Sequence, residues 1–113
     1  AVLIPIQCEF YALEGVAQLM NTIGLVQESA NPGLRIQGVV MTMYDGRTRI
    51  ATQVVEEVRS VFGTALYDTL IPRNVRLSEA PSFGQPITSY DITSRGAETY
   101  IALAKEVMKR EEN

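Results

Sequence analysis

The sequence predicts an α/β protein built on a small parallel sheet, and three observations carry that reading. Short continuous apolar runs alternate three times with stretches of helical period, in the order strand, helix, strand, helix, strand, helix. The runs are predominantly apolar, as in strands covered on both faces, rather than strictly alternating apolar with polar. The turn signals between the first five elements are short, and such alternation returns parallel strands through right-handed crossovers.

The first run, Val2–Ile6, is expected to be a strand buried on both faces, with Pro5 marking its end. Gln7, Cys8 and Glu9 form a polar exit. A helix is predicted from Tyr11 to Glu28, with Leu13, Val16, Ala17, Met20, Ile23 and Gly24 along one side. Leu19 and Val26 widen that face, so the helix should be largely covered. The segment SANPG at 29–33 stops it. Ile36–Met43 reads as the second strand, and the loop YDGRT leads to Thr48, the N-cap of a helix over 49–62. Its expected core stripe is Ile50, Val54, Val58 and Val61, and Gly63 ends it. Ala65–Ile71 is the third strand. A final helix should run from Ser94 to Arg110, burying Ala97, Tyr100, Ile101, Ala104, Val107 and Met108. Glu106 and Arg110 are expected as an i,i+4 pair on its outer side, and the tail EEN should fray.

Between Pro72 and Ser94 lie about twenty residues with no helix or strand signal, a length that in compact domains marks function or disorder. Pro72, Pro81 and Pro86 restrict this segment, and Val75, Leu77, Ala80, Phe83 and Ile87 can anchor it, so it is expected to be ordered. It is read as a ligand-facing loop, with a proline-pinned cover over the core as the alternative.

Bulk properties narrow the function. The chain has 113 residues, enough for one domain, a net charge of −3, one cysteine and no histidine. Histidine catalysis and histidine metal sites are excluded, as is an internal disulfide. No run approaches the ~18 apolar residues of a membrane span. The chain opens directly inside a strand-like run, and three strands leave apolar sheet edges exposed; both features are expected of part of a larger sheet.

Ligands of parallel α/β sheets bind outside the carboxyl ends of the strands. Those ends carry Gln7 and Glu9, then Asp45, Arg47 and Arg49, then Arg73, Asn74 and Arg76. Four of the eight arginines thus fall in two short stretches on one edge. Arg47 and Arg49 flank a helix N-terminus, where positive charge costs ~0.3–1 kcal/mol unless acidic residues offset it. An anion such as phosphate or DNA backbone would benefit; solvated surface arginines are the alternative. Glu9 and Asp45 as an acid–base pair, and Cys8 as a nucleophile, are weaker candidates. No glycine-rich phosphate-loop signature is present.

Four segments carry a resemblance: IPIQCEFYALEG (4–15), VVMTMYDGRT (39–48), IPRNVRLSEAPSFGQPI (71–87) and YDITSRGAETYIALAKEV (90–107). In this order they resemble the ParA/Soj family of chromosome- and plasmid-partitioning ATPases, relatives of MinD with a deviant Walker A loop. The resemblance runs over essentially the whole chain and matches the family's carboxy-terminal half, so residues 1–113 would be one domain fragment. It implies the later strands of a P-loop NTPase-like, doubly wound, mainly parallel sheet. It also implies a cytoplasmic, nucleoid-associated protein that dimerises with ATP and Mg2+, binds DNA without sequence preference and is triggered by a ParB-type partner. By position, Arg47 and Arg76 match the family's DNA-contacting arginines. Thr42, Met43, Pro72 and Asn74 match its adenine-side pocket, and Gln7 and Glu9 the segment near nucleotide and dimer interface. No catalytic or metal-binding residue is implied. Lacking the phosphate loop, the chain alone is expected neither to bind ATP tightly nor to hydrolyse it. Two other readings remain: a standalone, non-enzymatic module for DNA or another polyanion, and a MinD-like membrane protein. The mixed charge of KREEN argues against the latter.

Overall fold

Each apolar run becomes a strand and each periodic stretch a helix in the computed structural model, which describes residues 1–111. The elements are β1 (Val2–Gln7), α1 (Ala12–Ser29), β2 (Ile36–Tyr44), α2 (Arg49–Phe62) and β3 (Leu66–Pro72). Two short helices, α3 (Val75–Glu79) and α4 (Ile87–Tyr90), precede the long α5 (Arg95–Glu111). The sheet order is β1-β2-β3 and both pairings are parallel, as the alternation of elements requires.

The period of two along β2 sorts its residues between two cores. Val39 and Met41 join Ile4, Ile6 and Leu66 beneath α1 and α2, which contribute Val16, Ile23, Val54 and Val58. Val40 faces the other way and packs with Tyr67, Ile71 and Leu103 of α5. Two helices therefore cover one face, and a single helix covers part of the other. That asymmetry corrects the expectation for β1: Ile4 and Ile6 are buried, but Leu3 and Pro5 are exposed, because α5 does not reach them. Pro5 lies inside the strand, opposite Val40, rather than at its end. The amides of Val2 and Cys8 point toward β2, donating to Arg35 and Thr42 carbonyls. Pro5 falls in the opposite phase on an edge strand, where its missing N–H removes no ladder bond.

Helix boundaries agree with expectation to within a residue or two, and their faces do not. Along α1 only Ala12, Val16 and Ile23 are buried; Ala17, Leu19 and Leu25 are exposed, so one side of this helix stays open. Thr48 caps α2 by accepting from the Ala51 amide, and Gly63 closes it. The buried stripe is Ala51, Val54, Val55 and Val58, while Ile50 and Val61 face outward. In α5 the buried residues are Gly96, Ala97 and Leu103; Tyr100, Ala104 and Met108 are exposed. Glu106 and Arg110 lie against β3 rather than on the outer side, and are the side chains that tie α5 to that strand. Of the tail EEN, Glu111 closes α5 and the last two residues lie outside the described ones.

The long connection is ordered, as its prolines and apolar residues predict, but it is helical rather than extended. Asn74 caps α3, and a 3-10 turn over Ala80–Phe83 leads toward α4. Ala80 and Ile87 bury against Ala97 of α5, with Leu77 and Tyr90 beside them. Val75 and Phe83, also expected as anchors, are exposed, and Phe83 stacks on Tyr90 at 5.2 Å between centroids. Two glycines permit close approaches. A Cβ on Gly96 would stand 2.5 Å from Leu77 Cγ, so α3 can seat on the start of α5 only over a glycine. A Cβ on Gly38 would stand 2.3 Å from the Tyr67 ring. Among the described residues no helix is long and apolar enough to cross a membrane.

Candidate functional site

Because all three strands run parallel, Gln7, Tyr44 and Pro72 end on the same edge of the sheet. Two backbone bonds knit that edge together: Cys8 N donates to Thr42 O at 2.9 Å, and Arg73 N to Tyr44 O at 3.0 Å. Between them β2 breaks register, and Met43 takes φ +56°, the one non-glycine residue with positive φ among the described residues. A bulge of this kind re-aims side chains at the rim of a sheet, and a methionine at positive φ stores backbone strain of roughly 1 kcal/mol or more. Such strain is common beside ligand sites. Thr42 is half-buried, its hydroxyl at 3.4 Å from the Ile6 carbonyl to which it donates.

The loop after β2 carries its own counter-ion. Arg47 lies 89% exposed and makes a two-pronged contact with Asp45, Nε to Oδ1 and Nη2 to Oδ2, both at 3.0 Å. The Arg47 amide also donates to Asp45 Oδ1. These bonds hold the Asp45 carboxyl down at about 2, with the Arg73 charge assisting. Asp45 thus offsets the positive charge that Arg47 places ahead of α2, while Arg49 has no acidic residue in that first turn. Across from this loop stand Pro72, Arg73 and Arg95, and together with Tyr44, Asp45 and Arg47 they line a cleft of about 350 Å3.

Arg95 is the residue that the sequence reading missed. It opens α5, 48 residues from Arg47 in the chain, and only the docking of α5 against β3 brings it to the cleft. The sole sequence signal was an arginine at a helix start, the same anomaly that drew attention to Arg47.

The remaining expected residues divide into separate places. Gln7 and Glu9 are exposed and line a different groove, about 200 Å3, between β1 and α1 with Ile6, Tyr11 and Leu19. Asn74 is half-buried, its Oδ1 accepting from the Arg76 amide at 3.0 Å. Arg76 reaches Glu79 (3.1 Å) and Asp91 (3.4 Å). The Tyr90 hydroxyl donates to the same Glu79 oxygen at 2.6 Å, which raises its pKa. Cys8 is half-buried and burial pushes its thiol up to about 11, which removes it as a nucleophile at neutral pH. Glu9 and Asp45 line different clefts, and no pairing between them is observed. Among the described residues no cluster of three acidic, cysteine or histidine side chains converges as a metal site.

Three parallel strands with helices on both faces, and a carboxyl edge that gathers loops, a strained bulge and arginines, make an α/β fold similar to that of P-loop NTPases. The solved structure of cobyrinic acid a,c-diamide synthase from Mycobacterium smegmatis, with bound ADP and magnesium, matches 99% of this chain with a TM-score of 0.70 and 28% identity. Chromosome partitioning protein ParA from Myxococcus xanthus is 57% identical over 98% of the chain. Sporulation initiation inhibitor protein Soj from Bacillus subtilis is 60% identical over 95% of it, and the chromosome-partitioning ATPase Soj of Thermus thermophilus 53% over 96%. A family model described as an AAA domain matches residues 1–36. Over nearly its whole length the chain matches part of the ParA/Soj partitioning ATPases. It spans about two-fifths of the length of these relatives, 39% of the Myxococcus protein and 42% of the Bacillus one.

Proposed function

We propose that residues 1–113 form one domain piece, the carboxy-terminal portion of a ParA/Soj-type ATPase, and that this portion supplies its DNA-contacting edge. In the full-length protein ATP binding drives dimerisation, the dimer holds DNA without sequence preference at the nucleoid, and a ParB-type partner releases it. The observation that carries the reading is the cleft where Arg47, Arg73 and Arg95 converge. Stability offers little reason to line one cleft with three arginines and a single carboxylate, whereas a phosphate backbone rewards it through counter-ion release.

On the nucleotide side, the residues present fit the adenine end only. Thr42, Met43, Pro72 and Asn74 sit on the edge where the strained bulge and the α3 cap present backbone and amide groups. Gln7 and Glu9 lie further along that edge. The phosphates and Mg2+ would be held by a phosphate loop that these 113 residues do not contain. ATP supplies the free energy of the switch; this chain's residues orient its base and read the outcome at DNA. Asn74 links the two tasks, because the residue on the adenine side accepts a hydrogen bond from the amide of Arg76 on the DNA side.

The test is duplex binding by full-length, ATP-loaded protein across a salt series. Arg47→Ala and Arg76→Ala are each expected to weaken binding to all sequences alike. Each should also reduce the salt slope by about 1. Unchanged affinity and slope in both variants would refute the DNA role. Asn74→Ala should weaken ATP binding and blunt the nucleotide dependence of DNA binding together. The 113-residue chain should show no ATPase above background. DNA binding by that chain with no nucleotide requirement in the longer protein would favour the standalone polyanion module instead.

A further inference from the structure

We propose that Glu79 and Asp91 act as built-in competitors of DNA phosphate for Arg76, so that the chain's own carboxylates hold its DNA affinity down. The proposal rests on the reading that Arg76 contacts DNA, and it assigns a regulatory role to two residues outside that reading.

The guanidinium of Arg76 is engaged on two sides. Its Nη1 bonds Glu79 Oε2 at 3.1 Å and its Nε approaches Asp91 Oδ2 at 3.4 Å. Glu79 comes from the far end of the same short helix, and Asp91 from the residue following α4. The loop from 75 to 91 is therefore folded so that two acidic residues meet one cation. The cation remains 54% exposed and the carboxylates less so, at 36% and 28%. Arg76 can be reached by an incoming phosphate, but only in exchange for contacts already made, and against the repulsion of two negative charges beside it.

Stability is a weak reason for this arrangement, since exposed ion pairs contribute little to folding. Glu79 does have a structural bond, accepted from the Tyr90 hydroxyl at 2.6 Å. That bond needs an acceptor oxygen, not a charge. Asp91 likewise accepts from the Thr93 hydroxyl at 2.9 Å through Oδ1, which an amide oxygen can replace. Charge and loop structure can thus be separated by isosteric amides. Arg47 shows the same pairing with Asp45, but there the carboxylate also accepts from the loop backbone, so its removal would disturb the loop itself.

The experiment measures binding of full-length, ATP-loaded protein to mixed-sequence duplex DNA for Glu79→Gln, Asp91→Asn and the double variant. Each single change should tighten binding about two- to fivefold, the range that exposed ion pairs span, and the double variant further. The gain should shrink as salt screens the carboxylates. In an Arg76→Ala background the same amides should produce no gain, a dependence that a purely structural role would not show. Equal or weaker binding by Glu79→Gln and Asp91→Asn, with Arg76→Ala still weakening it, would overturn this proposal and leave the DNA reading standing. Unchanged binding in Arg76→Ala would overturn both this proposal and the assignment of Arg76 as a DNA contact.

Discussion

Gly38→Ala should destabilise the protein by about 3 kcal/mol or more, among the largest effects of any single methyl group here. The added Cβ would lie 2.3 Å from Tyr67 Cε2 and 2.4 Å from Cζ. Neither side can yield cheaply. Gly38 is in β2, the central strand, and Tyr67 is fully buried between that strand and α5. The ring is further held by Arg110, whose guanidinium carbon lies 4.4 Å from its centroid. Denaturant unfolding should show a lower midpoint with an unchanged slope. Tyr67→Phe gives the opposite result and separates crowding from polarity. The Tyr67 hydroxyl is buried with no hydrogen-bond partner. Removing it should stabilise the protein by ~1 kcal/mol, because an unsatisfied buried donor costs its desolvation. In the Gly38→Ala background Tyr67→Phe should not rescue folding, since the clashing ring carbons remain. A Gly38→Ala variant as stable as wild type would mean that the ring has room the structure does not show.

This contact also marks what was legible in the sequence and what was not. The order and limits of the elements were legible, because they are set locally: by apolar runs, by the Thr48 cap, by the SANPG turn. The faces were not. In α2, Ile50, Ala51, Val54, Val55, Val58 and Val61 offer two adjacent apolar stripes, and only the position of the sheet selects the one containing Ala51 and Val55. The arginines of the DGRT and PRNVR segments could be placed on one edge because parallel strands share their carboxyl ends. Arg95, and the capture of Arg76 by Asp91, required knowing how the 75–91 loop and α5 fold back. Charged residues were assigned to solvent by habit, and for Glu106 and Arg110 that assignment failed for a reason found only in the topology.

Among the described residues β3 pairs with β2 on one side and with no strand on the other, so one row of its backbone groups would be open. Glu106 fills part of that row: its Oε2 accepts from Asp68 N at 2.7 Å, and its Oε1 from Thr69 N at 2.9 Å and Thr69 Oγ1 at 2.7 Å. Arg110 donates to the carbonyls of Thr64 and Leu66 at 2.8 and 3.0 Å, and to Glu106 at 3.1 Å. One turn of α5 thus supplies both the acceptor and the donor that a neighbouring strand would have given. Burial pushes the Glu106 pKa up, but the bonds from Asp68 and Thr69 and the Arg110 charge outweigh it, and the net shift is downward. A carboxyl whose folded pKa lies below its unfolded value of 4.5 contributes stability that is complete above that value. It is lost as pH falls through the folded pKa. Glu106→Ala should therefore cost about 2–3 kcal/mol at neutral pH, the scale of hydrogen bonds to a charged group. The cost should shrink in acid, where the wild-type carboxyl is protonated and accepts these bonds only as a neutral acid. Amide exchange at Asp68 and Thr69 should accelerate in the variant well beyond the change at Val39 or Met41 in β2. If the variant unfolds like wild type at neutral pH, or the two differ equally at every pH, α5 is held by Leu103 and its apolar neighbours alone. The edge of β3 would then be open to pairing with another strand.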